Sequence, residues 1–374
     1  MMSAEDDFLK PIIMHASLTL LSILTLASAT SAGSNCTGVI QSLNDVASAV
    51  QCKTVNIYGF TVPANQGFVL NLLDGTTVNV YGDIEFSDGF TKGPLFTVTG
   101  NDITFNGNDH KWNGSGPSYW DGKGGSGGLT KPNPVMSVGI TGTFSGVYLL
   151  NSPMIAFEIW NGPLIIDGVT VDNREGNYAN SRSGGVAAGR NTDGFDVGGD
   201  GITIQNCVVI NQDDCIAISW GTNITVHNNY CESGHGISLT SSIYDTVIEN
   251  IVISNNTLVD SEQALRIKTS QTTQGSRVSN VVYTHNSASG CTDFGVLITQ
   301  SYPAALGTPG NGVDISNVTF SGLNNISTTS SAYMVAVNCG VDSCIGPWDW
   351  SGLATDGGKV GPNTNCPDIS GFSY

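Results

Sequence analysis

GITIQNCVVINQDDCIAIS, residues 201–219, holds three short apolar runs, ITI, VVI and CIAI, parted by Asn-bearing breaks and without helical period. Similar units flank it: VTVDN at 169–173, NITVHNNYCESGHGISL at 223–239, IVISNNTLVDSEQALRIK at 251–268, VVYTHNSASGCTDFGVLIT at 281–299 and VDISNVTFSG at 313–322. A unit of this size cannot bury its inner face alone, so successive units must stack as coils, with parallel strands about 4.8 Å apart. No helical stretch recurs in each unit, and the Leu and Asn spacing of leucine-rich repeats is missing. The expected fold is therefore all-β: a single-domain right-handed parallel β-helix.

Coil length decides which side chains meet. Val197, Ile218 and Leu239 are apolar anchors 21 residues apart, and Asp193, Asp214 and His235 each stand four residues before their anchor. These three should form a column on one face, with Asp213 beside Asp214. Longer intervals to Ile267 and Ile298 imply inserted loops. In ALRIKTS (264–270), Leu265 and Ile267 pointing inward send Arg266 and Lys268 outward by period-two alternation. Three carboxylates, an imidazole and two cations then share one surface. Like charges this close raise each other's cost of ionisation, so the cluster needs a cation, a sugar or a shared proton.

A solenoid must also cover its open end. TGVIQSLNDVASAV (37–50) has apolar residues at helical spacing between Cys36 and Cys52, which predicts a disulfide-pinned capping helix. The nine Cys imply further disulfides, the short loops Cys215 to Cys231 and Cys339 to Cys344 being the easiest to close, with at least one thiol left over.

Residues 1–32 read as a signal peptide: the apolar segment SLTLLSILTLAS is followed by small residues ending at Ala32, too short and too Ser/Thr-rich for a spanning helix. MMSAEDDFLK is acidic where such a leader is basic, and a start at Met14 would give an ordinary one, so residues 1–13 read as a mispredicted extension. The β-helix domain expected over 33–374 should then be secreted and extracellular. Sequons at Asn35, Asn113, Asn223, Asn255, Asn317 and Asn325 fit that route. The net charge of −18 becomes −16 once Glu5, Asp6, Asp7 and Lys10 (net −2) are removed. That balance argues against a nucleic-acid partner. No Cys/His pattern points to a metal, and neither a cofactor nor a membrane partner is expected.

NTDGFD (191–196), QDD (212–214), GHG (234–236) and RIK (266–268) resemble the signature of the polygalacturonases, glycoside hydrolase family 28. WDGKGGSGGLTKP (120–132), LLNSP (149–153) and QSY (300–302) fall in the order that family has. The resemblance implies an inverting hydrolase of α-1,4-galacturonosidic bonds in demethylated pectin. Asp213 matches the general acid, Asp193 and Asp214 the pair that holds and deprotonates water, and His235 the histidine supporting the acid. Arg266 and Lys268 match the cations for the galacturonate carboxylate, with Asn191, Gln212 and Tyr302 as further substrate contacts. Arg190 departs from the family's usual His.

Two-carboxylate inversion needs one protonated and one ionised carboxyl about 6.5 to 9.5 Å apart, and crowding the three Asp residues should keep one protonated. An acidic protein must reverse its field locally to bind a polyanion, and Lys123 and Lys131 are candidates to assist. Endo action is expected of a monomer, since no long insertion walls off either end of the groove. Rival readings are an exo-acting or related pectin hydrolase, a calcium-dependent lyase on the same fold, and a non-catalytic pectin-binding homologue.

Overall fold

The computed structural model describes residues 36–89 and 92–372. The expected leader and the Asn35 sequon lie outside the described residues. Among those described, every strand pairing is parallel, each coil hydrogen-bonding to the next. Val197 pairs with Ile218, Ile218 with Leu239, Leu239 with Ile267 and Ile267 with Ile298. The anchor register read from the 21-residue spacing is the register of the sheet, and the anchors are at most 1% exposed.

Two devices lock that register inside the coil. Toward the N-terminus, paired positions of neighbouring coils carry aromatic rings: Phe68–Phe96, Phe105–Phe144 and Phe157–Phe195 centroids lie 5.2, 4.6 and 5.1 Å apart. Toward the C-terminus a buried asparagine ladder takes over. Asn229, Asn256 and Asn286 each donate Nδ2 to the Oδ1 of the next rung, ending at Asn324, at 3.0 Å per step. A one-residue slip would strand these amides without partners in an apolar interior, at a cost of about 1–3 kcal/mol each.

The N-terminal cap differs from the expected helix. Thr37–Ile40 is a strand paired with Thr54–Ile57, and only Leu43–Asp45 (3-10) and Val46–Ala49 (α) are helical. Val39 points to solvent while Ile40 is buried, the alternation of a strand. The first coil captures TGVI because pairing satisfies its backbone, while a four-residue helix suffices to cover the end. Gly38 makes this possible: a β-carbon there would collide with the Ala49 backbone. The Cys36–Cys52, Cys215–Cys231 and Cys339–Cys344 disulfides form as expected. Cys207 and Cys291 remain buried thiols.

Candidate active site

The acidic residues sit where loops enter strands. Asp193 precedes Phe195–Gly198, Asp213 and Asp214 precede Ile216–His227, and His235 precedes Ile237–Ser241. Parallel pairing of these strands brings the three entry points together. Buried Asn211 ties two of them, donating Nδ2 to the carbonyls of Thr192 (2.9 Å) and Asp214 (2.8 Å). In GHG the second glycine is obligatory: Gly236 has φ +77° and faces the carbonyls of Gln263 and Ala264.

Above these turns lies a cleft of about 780 Å³ whose lining includes Asn191, Asp193, Gln212, Asp213, His235, Arg266, Lys268 and Tyr302. Asp214 lies beneath its floor, its side chain 1% exposed. Its Oδ1 accepts from the Arg266 guanidinium and from Ser238 Oγ (3.1 Å), and its Oδ2 accepts from Lys268 Nζ at 2.7 Å. Arg266 Nε also donates to Ser238 Oγ (3.0 Å). The two cations thus face outward as expected, but they bend down onto Asp214. Two positive charges against one negative leave this corner of the cleft a local surplus of one. Lys268 Nζ also lies 4.8 Å from the centroid of the Tyr302 ring.

Asp213 is held from three sides. Its Oδ1 lies 3.0 Å from His235 Nδ1 and accepts the Asp214 amide (2.9 Å), while Oδ2 accepts Asn191 Nδ2 (3.0 Å). Asn191 adopts φ +52° and accepts the Gly125 amide on its Oδ1, which aims its Nδ2 at Asp213. On the far side of the imidazole, His235 Nε2 is 3.3 Å from Glu262 Oε2. Burial would lower the His235 pKa, yet the carboxylates of Asp213 and Glu262 on its two nitrogens outweigh it and raise it to about 10. His235 is an imidazolium that donates both ways.

The protons are distributed differently from the expectation. Burial raises the Asp213 carboxyl, but the hydrogen bond and charge of His235, with Lys268, more than offset this and hold it below its ordinary value. Asp193 has no such cation. Burial, then the charges of Asp213, Asp196 and Asp214, raise it well above the carboxylate range. Asp196 is raised to about 7 by burial, then by Asp214 and Asp213. Crowding raises a carboxyl of the cluster, as expected, and the raised one is Asp193 rather than Asp213.

Other expectations need correction. Lys131 is buried in an ion pair with Asp121 (2.9 Å), and the cation lining the cleft from that side is Arg190, not Lys123 or Lys131. Gln212 lines the cleft, but its amide is engaged by Thr192 Oγ1 (2.9 Å), the Asn173 carbonyl (2.8 Å) and Asn177 Oδ1 (2.8 Å). Asp213, Asp214 and His235 present atoms within 4.8 Å of one another, a spacing that could suit a metal ion. With Arg266 and Lys268 on Asp214 and a charged His235, the cluster is already neutralised by protein cations. Ser238 and Glu262 were not foreseen. Ser238 could have been, since it is outward one residue before anchor Leu239, whereas Glu262 lies in an inserted loop outside the coil period.

Known proteins fit this geometry. Residues 52–371 match the model of glycosyl hydrolases family 28. Endopolygalacturonase B of Aspergillus oryzae is 37% identical over 327 residues, covering 85% of this chain and 86% of its own. A polygalacturonase of Penicillium janthinellum is 38% identical over 331 residues, 86% of each chain. Endopolygalacturonase I from Stereum purpureum, solved with two galacturonates bound, superposes with a TM-score of 0.84 at 42% identity, covering 90% of this chain and 99% of that one. With its coil register, its acidic cluster and these relatives in agreement, the chain belongs to glycosyl hydrolases family 28.

Proposed function

We propose that the chain is a secreted, monomeric endo-polygalacturonase that hydrolyses α-1,4-galacturonosidic bonds of demethylated pectin with inversion. The observation that carries this reading is the two-layered charge of the cleft: ionised Asp214 clamped below by Arg266 and Lys268, and Asp213 held on the wall between Asn191 and His235. A galacturonate carboxylate meets the surplus positive charge of Arg266 and Lys268, which places the adjoining glycosidic oxygen against Asp213.

In the productive form Asp213 carries the cluster's proton and Asp193 is ionised. Asp213 then protonates the leaving oxygen as the C1–O bond breaks. Water held by Asp193 and Asp214 attacks C1 from the opposite face and gives its proton to Asp193, restoring the starting count. Asp214, tied by three donors, acts as a fixed negative charge that orients the water and is poorly placed to be a nucleophile, which favours inversion. His235, gripped by Glu262, holds Asp213 in place and withdraws charge from it after proton loss. Secretion is supported by the leader expected over 1–32 and by three disulfides.

The test is the hydrolysis of demethylated polygalacturonan by the wild type and Asp213→Asn. The wild type should lower viscosity sharply at few reducing ends, and the variant should lose at least about a thousandfold in rate. Monomer release without loss of viscosity would refute endo action, and an active variant would refute the acid assignment.

A further inference from the structure

Outside the cleft, the outer face of the same sheet carries a pattern of its own. One residue past the anchor column Val138, Ile159, Val197 and Ile218 stand Gly139, Trp160, Gly198 and, after a bulge, Trp220. Beyond them the column continues to Thr240 and Lys268. Trp160, Trp220 and Lys268 thus recur on every second coil of one column, about 10 Å apart at the spacing of parallel strands.

Each indole is built into the surface. A β-carbon on Gly139 would fall within the Trp160 ring, and one on Gly198 within the Trp220 ring, so each ring rests on the backbone of the preceding coil. Trp160 Nε1 donates to Ser137 Oγ (3.0 Å), which fixes its orientation. Yet Trp160 is 44% and Trp220 41% exposed, their outer sides presented to solvent. Large aromatic area held rigid and left bare is suited to recognition.

The neighbouring column says what kind of ligand fits. One residue before the anchors it runs Ser137, Glu158, Asp196, Ala217, Ser238 and Arg266. At the Arg266–Lys268 end both columns offer cations. At the tryptophan end they offer Glu158, Asp196 and no cation. An ionised uronate is matched at the first end and finds no counter-charge at the second.

We propose that Trp160 and Trp220 form a stacking track for uncharged pyranose units, on which the apolar C–H faces of rings two units apart lie while a demethylated stretch occupies the cleft. This rests on the polygalacturonase reading and extends it: the enzyme grips pectin by an uncharged segment, either methyl-esterified galacturonan or neutral side chains, and cuts an adjacent charged one.

The test is affinity electrophoresis of the wild type and of W160A/W220A in gels holding fully methyl-esterified galacturonan, neutral galactan or no polymer, with hydrolysis of demethylated galacturonan and of a short demethylated oligomer measured in parallel. The wild type should be retarded by at least one of the uncharged polymers, and which one identifies the source. The double variant should bind that polymer about tenfold more weakly, as expected for two lost stacking contacts, and keep its rate on the short oligomer. W160F/W220F, which keeps the rings, should recover most of the affinity, which an unfolded protein could not. Equal retardation of wild type and double variant, or none of the wild type, overturns the proposal. So does retardation that changes on enzymatic removal of N-linked glycans but not in W160A/W220A, since a glycan on Asn223 would then be what covers the track. Failure of the wild type to cut demethylated galacturonan would instead overturn the proposed function.

Discussion

Asp196 ends the NTDGFD motif, has a buried Oδ1 without a hydrogen-bond partner, and is raised from 3.8 to about 7 by burial and by the charges of Asp214 and Asp213. A carboxyl whose pKa is higher folded than unfolded costs nothing while protonated in both states. It destabilises progressively as pH climbs from the unfolded value through the folded one. Roughly three pK units at 1.36 kcal/mol each give a penalty of about 4 kcal/mol, fully developed above pH 7. Asp196→Asn keeps the shape and removes the charge. It should therefore leave stability near the wild-type value at pH 4 and raise it by up to about 4 kcal/mol at pH 8. Urea unfolding at pH 4, 6 and 8, with unchanged slopes, measures this directly. A shift of the same size at all three pH values, or a loss at pH 8, would refute the argument that an unpaired buried charge sits there.

Removing a cation from beneath the cleft has the opposite sign. Lys268→Met leaves buried Asp214 with Arg266 and Ser238 alone, so thermal or urea denaturation should show a loss of about 3 kcal/mol, and the KM for polygalacturonan should rise more than tenfold. Because binding relies on a single surplus charge, initial rates on demethylated polymer should fall as salt rises from 0.1 to 1 M, where screening shortens from about 10 to 3 Å. Full methyl esterification should abolish cleavage, and unchanged rates would contradict the role of Arg266 and Lys268. The cluster also needs its shared proton, held chiefly by the raised Asp193. Activity should therefore decline as pH rises through that group's pKa, and a rate–pH profile that climbs without any fall toward alkaline pH would contradict it.

What the sequence made legible follows from what repeats. Val197, Ile218 and Leu239 recur at a fixed interval because parallel pairing requires it, and that interval alone placed Asp193, Asp214 and His235 over one another. Alternation did the same for Arg266 and Lys268. The misreadings lie where a competing interaction overrides the local pattern. The helical spacing of residues 37–50 yields to backbone pairing of TGVI with the next coil. Lys131, exposed by its composition, is drawn inside by Asp121. The raising of Asp193 rather than Asp213 could not be read from spacing, because it depends on His235 reaching Asp213 but not Asp193. Glu262 and the seating of Trp160 on Gly139 depend on loop course and side-chain direction, which a single sequence does not carry.

The account rests on Asp213 as proton donor facing a water held by Asp193 and Asp214, with no covalent intermediate. The anomeric form of the first reducing end released from demethylated polygalacturonan, followed by proton NMR before mutarotation, tests this most directly. The account predicts that the β anomer appears first from the α-linked polymer. Initial release of the α anomer would mean that a carboxylate attacks the sugar itself, and would contradict it.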